Sequence, residues 1–369
     1  MRSRSRRWRA PCAAALLMLA GVGCGGEKTH NLILITLDGV RIQEIFSGMD
    51  PVLAAHSATF EYSEIESGRA RYWRESPEER REALMPFFWK TLAPMGVVLG
   101  NKAAGSSVTV QNAVRWSSAG YAELLTGAPR AEIVDNTLVR HPHRTFMEFA
   151  RSELDLDASE VAQFGSWDGI KFAASSRDDA FLMNGAFDPI PAALSNPDMD
   201  RLVALRHRML GLWEESGNDG LTFELALAYL RQHEPRLLWI AFGQSDDWGH
   251  ADRYDRLLEY LHLIDGMLDE LWNTLQSMDA YRDRTTLILT TDHGRGVTAQ
   301  TWAEHDVTIP GSEDIWVAVI GPDTPDRGEL APAPAAHQGD IAATALQLLG
   351  LDTRAFSAEA GPPIPGTMD

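Results

Sequence analysis

The chain has 369 residues, 44% of them hydrophobic and 23% charged, an ordinary globular composition that excludes a fibrous or disordered protein. The length suits one large α/β domain or two small ones. A formal net charge of −19 argues against a stable nucleic-acid partner, because phosphate backbones would be repelled.

In chain order, the first segment stands outside the fold. MRSRSRRWRAPCAAALLMLAGVGC has an arginine-rich start, a short apolar stretch and then small residues. This pattern predicts an export signal over residues 1–23, too short to span a membrane. It closes on AGVGCGG, which resembles a bacterial lipoprotein signal with Cys24 as the lipidated residue; an ordinary signal peptide cut near Cys24 is the alternative. The expected location is the bacterial periplasm or cell envelope, with membrane attachment through a lipid on Cys24. Residues 24–30 are a short linker in this reading. Both cysteines, Cys12 and Cys24, lie at or before residue 24. The mature chain therefore has neither a disulfide framework nor a thiolate metal site, and any metal must be held by His, Asp and Glu.

Continuous apolar runs of strand length follow: NLILITL at 31–37, RLLWIAF at 236–242, TTLILTT at 285–291 and IWVAVIG at 315–321. Continuous rather than alternating runs are expected of a sheet buried on both faces. Helical stretches lie between them. SPEERREALMPFFWKTLA opens with Ser76 as N-cap, Pro77 at the first helical position and Glu79 closing a capping box. LTFELALAYLRQH precedes the second run. ADRYDRLLEYLHLIDGMLDELWNTLQSM carries Leu257, Leu261, Ile264, Leu268, Leu271 and Leu275 on one stripe. DIAATALQLLG reads as a helix closed by Gly350. The alternation predicts a mostly parallel central sheet with helices on both faces. The expected organisation is a single α/β domain over 31–353, with an insertion around 45–106 and a Pro/Gly-rich tail over 354–369.

In a parallel sheet, functional groups gather beyond the carboxyl ends of the strands. Asp38 follows LILITL, Asp246 follows LLWIAFGQS, and Asp292 and His293 follow TLILTT. One Asp after a strand is ordinarily a turn or cap residue. Three such ends together point to a metal: converging carboxylates repel one another unless a cation lies between them, and carboxylate with imidazole is the zinc ligand set when thiolates are absent. Asp246 and His250 share one face if a helical turn follows the strand.

LITLDGVR, SDDWGH, TTDHGRG and EHDVTIPGSEDIWVAVIGP resemble, in order, the metal-binding motifs of the alkaline phosphatase superfamily, in particular its nucleotide pyrophosphatase/phosphodiesterase branch. The resemblance runs from about residue 31 to 350 and implies an alkaline phosphatase-like three-layer sandwich. It implies two divalent metal ions, most simply Zn²⁺. Asp246, His250 and His305 would hold the first, and Asp38, Asp292, His293 and the nucleophile oxygen the second. His337, in AAHQGD, competes with His305 for the last place of the first set. In VQNAVRWSSAGYAELLTG the resemblance gives Ser117 the nucleophile's place, with Ser118 as alternate and Ala119 where the family has proline. A plain alternative makes Ser117 the N-cap of a helix over 118–125. Asn136, in TGAPRAEIVDN, occupies the place of a residue that donates to a phosphate oxygen, or is an ordinary turn residue. Asp247 is expected to point elsewhere than Asp246, as an acid of the helix start or one that lies behind the ligands.

The function so implied is a two-metal phosphoric ester hydrolase, phosphodiesterase or nucleotide pyrophosphatase-like, acting through a covalent phosphoryl-serine on a small phosphate ester or nucleotide. A phosphomonoesterase is the alternative within the superfamily. From a different class, the rival is a non-catalytic, metal-stabilised surface lipoprotein.

Overall fold

The computed structural model describes residues 28–368. The expected export signal over 1–23 and Cys24 lie outside the described residues. Among the described residues no helix is long and apolar enough to cross a membrane.

Eleven short strands are described. They are β1 (Asn31–Leu37), β2 (Gly96–Leu99), β3 (Val108–Thr109), β4 (Val161–Gly165), β5 (Leu182–Asn184), β6 (Leu237–Phe242), β7 (Thr285–Thr290), β8 (Asp314–Ile315), β9 (Val317–Ile320), β10 (Gly328–Glu329) and β11 (Ala336–His337). Eight form one sheet in the order β10-β2-β9-β7-β1-β6-β4-β5, and β11-β3-β8 form a small second sheet. The centre is parallel: β1 lies between β6 and β7, and β4 continues it beyond β6. β9 runs antiparallel to both β7 and β2.

The apolar runs are continuous because both faces of the sheet are covered. Ile33, Ile35 and Leu37 of β1 enter one core, shared with the Asp219–His233 and Tyr254–Ser277 helices. Leu32 and Leu34 enter the other, with the Ser117–Thr126, Phe146–Glu153 and Asp340–Leu348 helices. The expected architecture is the observed one. The stripe Leu257, Leu261, Ile264, Leu268, Leu271 and Leu275 is buried along the long helix.

Three expectations change. The stretch from Ser76 starts with the expected capping box, but its helix stops at Leu84. Pro86 supplies no N–H and disfavours helical geometry at Met85; the chain resumes as a wider turn over Phe88–Leu92. Asp265, from the long helix, accepts from the amides of Phe87 and Phe88 at 2.8 Å each and so satisfies the break. Second, the 45–106 segment is not wholly an insertion, since β2 within it is a strand of the main sheet. Third, the tail is not loop throughout: Thr353–Phe356 forms a helical turn, and Ile364 and Thr367 are buried.

Candidate metal and catalytic centre

The three acid-bearing strands β7, β1 and β6 are sheet neighbours and run parallel. Their carboxyl ends therefore lie side by side, and Asp38, the Gln244–His250 helix, Asp292 and His293 converge there. Gly39 makes this turn possible. Its φ is +63°, and a Cβ there would stand 2.7 Å from Asp246 Oδ1.

The side chains form two groups that meet at Asp246. In the outer group, Asp246, His250 and His305 bring one ligand atom each within 4.8 Å of the others. His250 Nε2 lies 3.2 Å from Asp246 Oδ2 and 3.0 Å from His305 Nε2. In the inner group, His293 Nε2 faces three oxygens: Asp38 Oδ1 at 3.5 Å, Asp292 Oδ2 at 3.4 Å and Ser117 Oγ at 3.4 Å. Asp246 also comes within 4.8 Å of Asp38 and His293. The residues expected of each set are thus together, with one difference: Asp246 reaches both groups instead of one.

The imidazoles are oriented for ligation. His305 Nδ1 donates to the Arg115 carbonyl at 2.5 Å, and His293 Nδ1 to the Gly294 carbonyl at 2.9 Å. A carbonyl only accepts, so both Nδ1 atoms carry the proton and both Nε2 lone pairs face the centre. Burial, the largest cause, lowers the His293 pKa to about 4 and the His305 pKa to about 3, which keeps both rings neutral.

The carboxylates are shifted in opposite directions. Burial, then the charges of Asp292 and Asp246, pushes Asp38 well above the usual carboxylate range, and burial raises Asp292 to about 6. Asp38 Oδ1 and Asp292 Oδ2 are buried without a hydrogen-bond partner, although Tyr121 donates to Asp38 Oδ2 at 3.1 Å and the Gly39 amide to Asp292 Oδ1 at 3.0 Å. Two buried, open carboxylate oxygens around an imidazole lone pair fit a divalent cation. Burial also opposes the charge of Asp246, yet its pKa lies well below the usual range because Arg295, then His250, outweigh that cost.

Arg295 is a residue that sequence reasoning passed over. It is buried, bonds Asp246 Oδ1, and donates from Nη2 to the Asp246 carbonyl at 3.1 Å. The available signal was its place in TTDHGRG: an arginine beside ligands must find a carboxylate when buried.

Ser117 begins the Ser117–Thr126 helix, but Trp116 is the flanking cap residue. The alternative of Ser117 as N-cap of a 118–125 helix is therefore corrected: its hydroxyl makes no cap bond and faces His293 instead. Gly120 lets this helix approach, since a Cβ there would stand 2.4 Å from the Asp292 carbonyl oxygen. The Ser118 amide donates to Asn136 Oδ1 at 2.9 Å, which leaves the two Nδ2 protons of Asn136 for another partner. Both Ser117 and Asn136 line a cavity of about 400 Å³ together with Asp38, Asp246 and His250. His337 is remote from both groups in role: it lies on β11, its Nδ1 3.1 Å from Thr109 Oγ1. Asp247 lies in the first turn of the Gln244–His250 helix and in neither ligand group; it is buried, 3.3 Å from Ser216 Oγ, and lines the same cavity.

A family model described as Metalloenzyme superfamily matches residues 215–353, the span that holds Asp246, His250, Asp292, His293 and His305. The described fold is like that of alkaline phosphatase, and the family match spans three of the four motifs, LITLDGVR lying before it. The structure of wild-type alkaline phosphatase PafA is similar over 93% of this chain and 99% of that one, with 11% identity and a TM-score of 0.61. A 2-O GAG sulfatase covers 93% of this chain and 74% of its own, with 15% identity and a TM-score of 0.58. The phosphonate monoester hydrolase of Agrobacterium radiobacter covers 90% and 78%, with 14% identity and a TM-score of 0.51. No curated protein matches the chain by sequence.

Proposed function

We propose that the protein is a divalent-metal-dependent phosphoric ester hydrolase, with Ser117 as nucleophile. The observation that carries this reading is Ser117 Oγ, 3.4 Å from His293 Nε2, opening into the cavity at the start of a helix. Asp246, His250 and His305 would hold one cation, and Asp38, Asp292 and His293 the other, with Asp246 close to both. Bound there, the cations would supply Lewis-acid activation of the hydroxyl and neutralise charge on the phosphoryl group.

The chain's own groups do the rest. Helix amides favour the phosphoryl group at the start of the Ser117–Thr126 helix. The Ser117 Oγ–P bond forms as the bond from phosphorus to the leaving oxygen breaks. Water then cleaves the phosphoryl-serine, with net retention at phosphorus. Asn136 Nδ2 would donate to an equatorial oxygen. A phosphodiester is favoured over a monoester because the neutral Asn136 amide can donate one hydrogen bond to a non-bridging oxygen but brings no positive charge to offset the additional negative charge of a monoester. Export to the cell envelope, with a lipid on Cys24, belongs to the same reading and rests on residues 1–24; Cys24→Ser should release the protein from membranes.

The test is metal content of the full chain, with assays on bis-(p-nitrophenyl) phosphate, p-nitrophenyl phosphate and p-nitrophenyl sulfate. Bound dication and diester turnover that Ser117→Ala removes support the reading. No turnover of any of the three overturns it; a bound dication without turnover leaves the non-catalytic, metal-stabilised lipoprotein, and absence of a dication removes that rival as well. Full activity in Ser117→Ala with loss in Ser118→Ala moves the nucleophile to Ser118.

A further inference from the structure

Part of the cavity has no role in the chemistry above. Trp167, Trp213, Glu214, Glu215 and Asp247 line it beside the ligand groups. None of the described residues lining it is Lys or Arg.

This wall is built into the fold. Trp167 and Ser216 form an antiparallel bridge just beyond β4. The Asp168 amide donates to the Glu215 carbonyl at 3.2 Å, the Gly217 amide to the Ser166 carbonyl at 2.6 Å, and the Ser216 amide to the Trp213 carbonyl at 3.2 Å. Residues 213–217 are thereby fixed against the chain just beyond β4, and Trp213 presents its indole half exposed, at 50%. Beneath them Asp247 is only 6% exposed, and its Oδ2 lies buried with no hydrogen-bond partner.

Two indoles, two surface carboxylates and one buried open carboxylate oxygen select by charge. A second phosphate or a carboxylate on the substrate would meet like charge with no cation of the protein to offset it. An alkylammonium group would instead gain the indole faces and the carboxylates together. We infer that the cavity carries a subsite for an alkylammonium group on one arm of the phosphate ester, so that the substrate is an amino-alcohol phosphoester and not a nucleoside polyphosphate. This inference rests on the phosphoric ester hydrolase reading.

The experiment compares p-nitrophenyl phosphorylcholine with p-nitrophenyl 3,3-dimethylbutyl phosphate, whose alkyl arm is the uncharged isostere of choline, on the full chain. The expected result is a kcat/KM about tenfold higher for the choline ester, carried mainly by KM. Glu214→Gln combined with Glu215→Gln should shrink that ratio severalfold, as should Trp213→Ala. Equal kcat/KM for the two esters, or a ratio that these variants leave unchanged, overturns the subsite and leaves the hydrolase reading standing. Turnover of neither ester while bis-(p-nitrophenyl) phosphate is cleaved overturns the subsite; turnover of none of the three overturns the hydrolase reading, and calorimetric titration with phosphocholine then decides the subsite alone. Saturable binding weakened in the double variant supports it, and no binding overturns it.

Discussion

The two ligand groups that meet at Asp246 differ in how much protein surrounds them. The inner group is enclosed: His293 and Asp292 are fully buried and Asp38 nearly so. The outer group opens to solvent, with His250 exposed and Asp246 half-buried. Their charges are balanced differently as well. Asp246 already has Arg295, whereas Asp38 and Asp292 each keep an open oxygen in a place where burial penalises their charge. A cation between the inner carboxylates would offset that cost of burial, whereas Asp246 has Arg295 to do so.

The largest expected effect breaks the inner group. Asp292→Asn keeps shape but removes the charge; turnover of bis-(p-nitrophenyl) phosphate should fall by about 10³-fold or more, and bound metal should drop. His250→Asn, in the solvent-open group, should cost less and be partly restored by excess metal. Equal losses in both, with neither rescued by metal, would erase the distinction. Metal removal sharpens it further: a chelator should strip the ions in two kinetic phases, the slower from the enclosed group, as read by metal analysis of timed samples.

Arg295 touches the comparison at its hinge, since it holds the carboxylate near both groups. Arg295→Met should lower metal affinity or activity by about 10–100-fold, with both phases of metal release accelerated. Wild-type release kinetics in this variant would show that Arg295 only packs. A smaller effect is expected of Gly120→Ala. The added methyl meets the Asp292 carbonyl, so the helix must shift, at about 1–3 kcal/mol of stability by denaturant titration. Activity should suffer more than that, because Ser117 moves relative to His293.

The smallest effect lies far from either group and serves as its control. His141 is buried and donates Nε2–H to the Ala173 carbonyl at 3.1 Å; burial, the largest cause, lowers its pKa. A lowered histidine pKa contributes stability above the unfolded value of about 6.5, and that stability is lost as pH falls through the lower folded value. Unfolding free energy should therefore decline on acidification from neutral pH, and less steeply in His141→Gln. An unchanged slope would remove His141 from the balance.

Much of the centre was legible because its signals are local. Asp38, Asp292 and His293 each stand directly after an apolar run, and the four-residue spacing of Asp246 and His250 needs only one helical turn. The choice of His305 over His337 came from the motif that follows it, and among the described residues His305, not His337, lies within 4.8 Å of Asp246 and His250. The break at Pro86 could have been read from the proline itself. β4 was missed because it is short and carries Gln163, which interrupts its apolar character. With β4 unseen, nothing in the sequence tied residues 213–217 to the cavity.

The sequence alone determined which strands end in carboxylate and imidazole side chains and that no cysteine follows residue 24. These follow from periods of two and 3.6 residues, which reach only across a few positions. Tertiary structure decided that β7, β1 and β6 are neighbours although about 200 residues separate the first strand from the second in sequence. That order sets Asp246 between two groups, turns Ser117 toward His293 across a helix that Gly120 allows to come close, and places the wall of Trp213, Glu214 and Glu215 beside them. Strand order depends on how covered faces pack, and no local pattern encodes it.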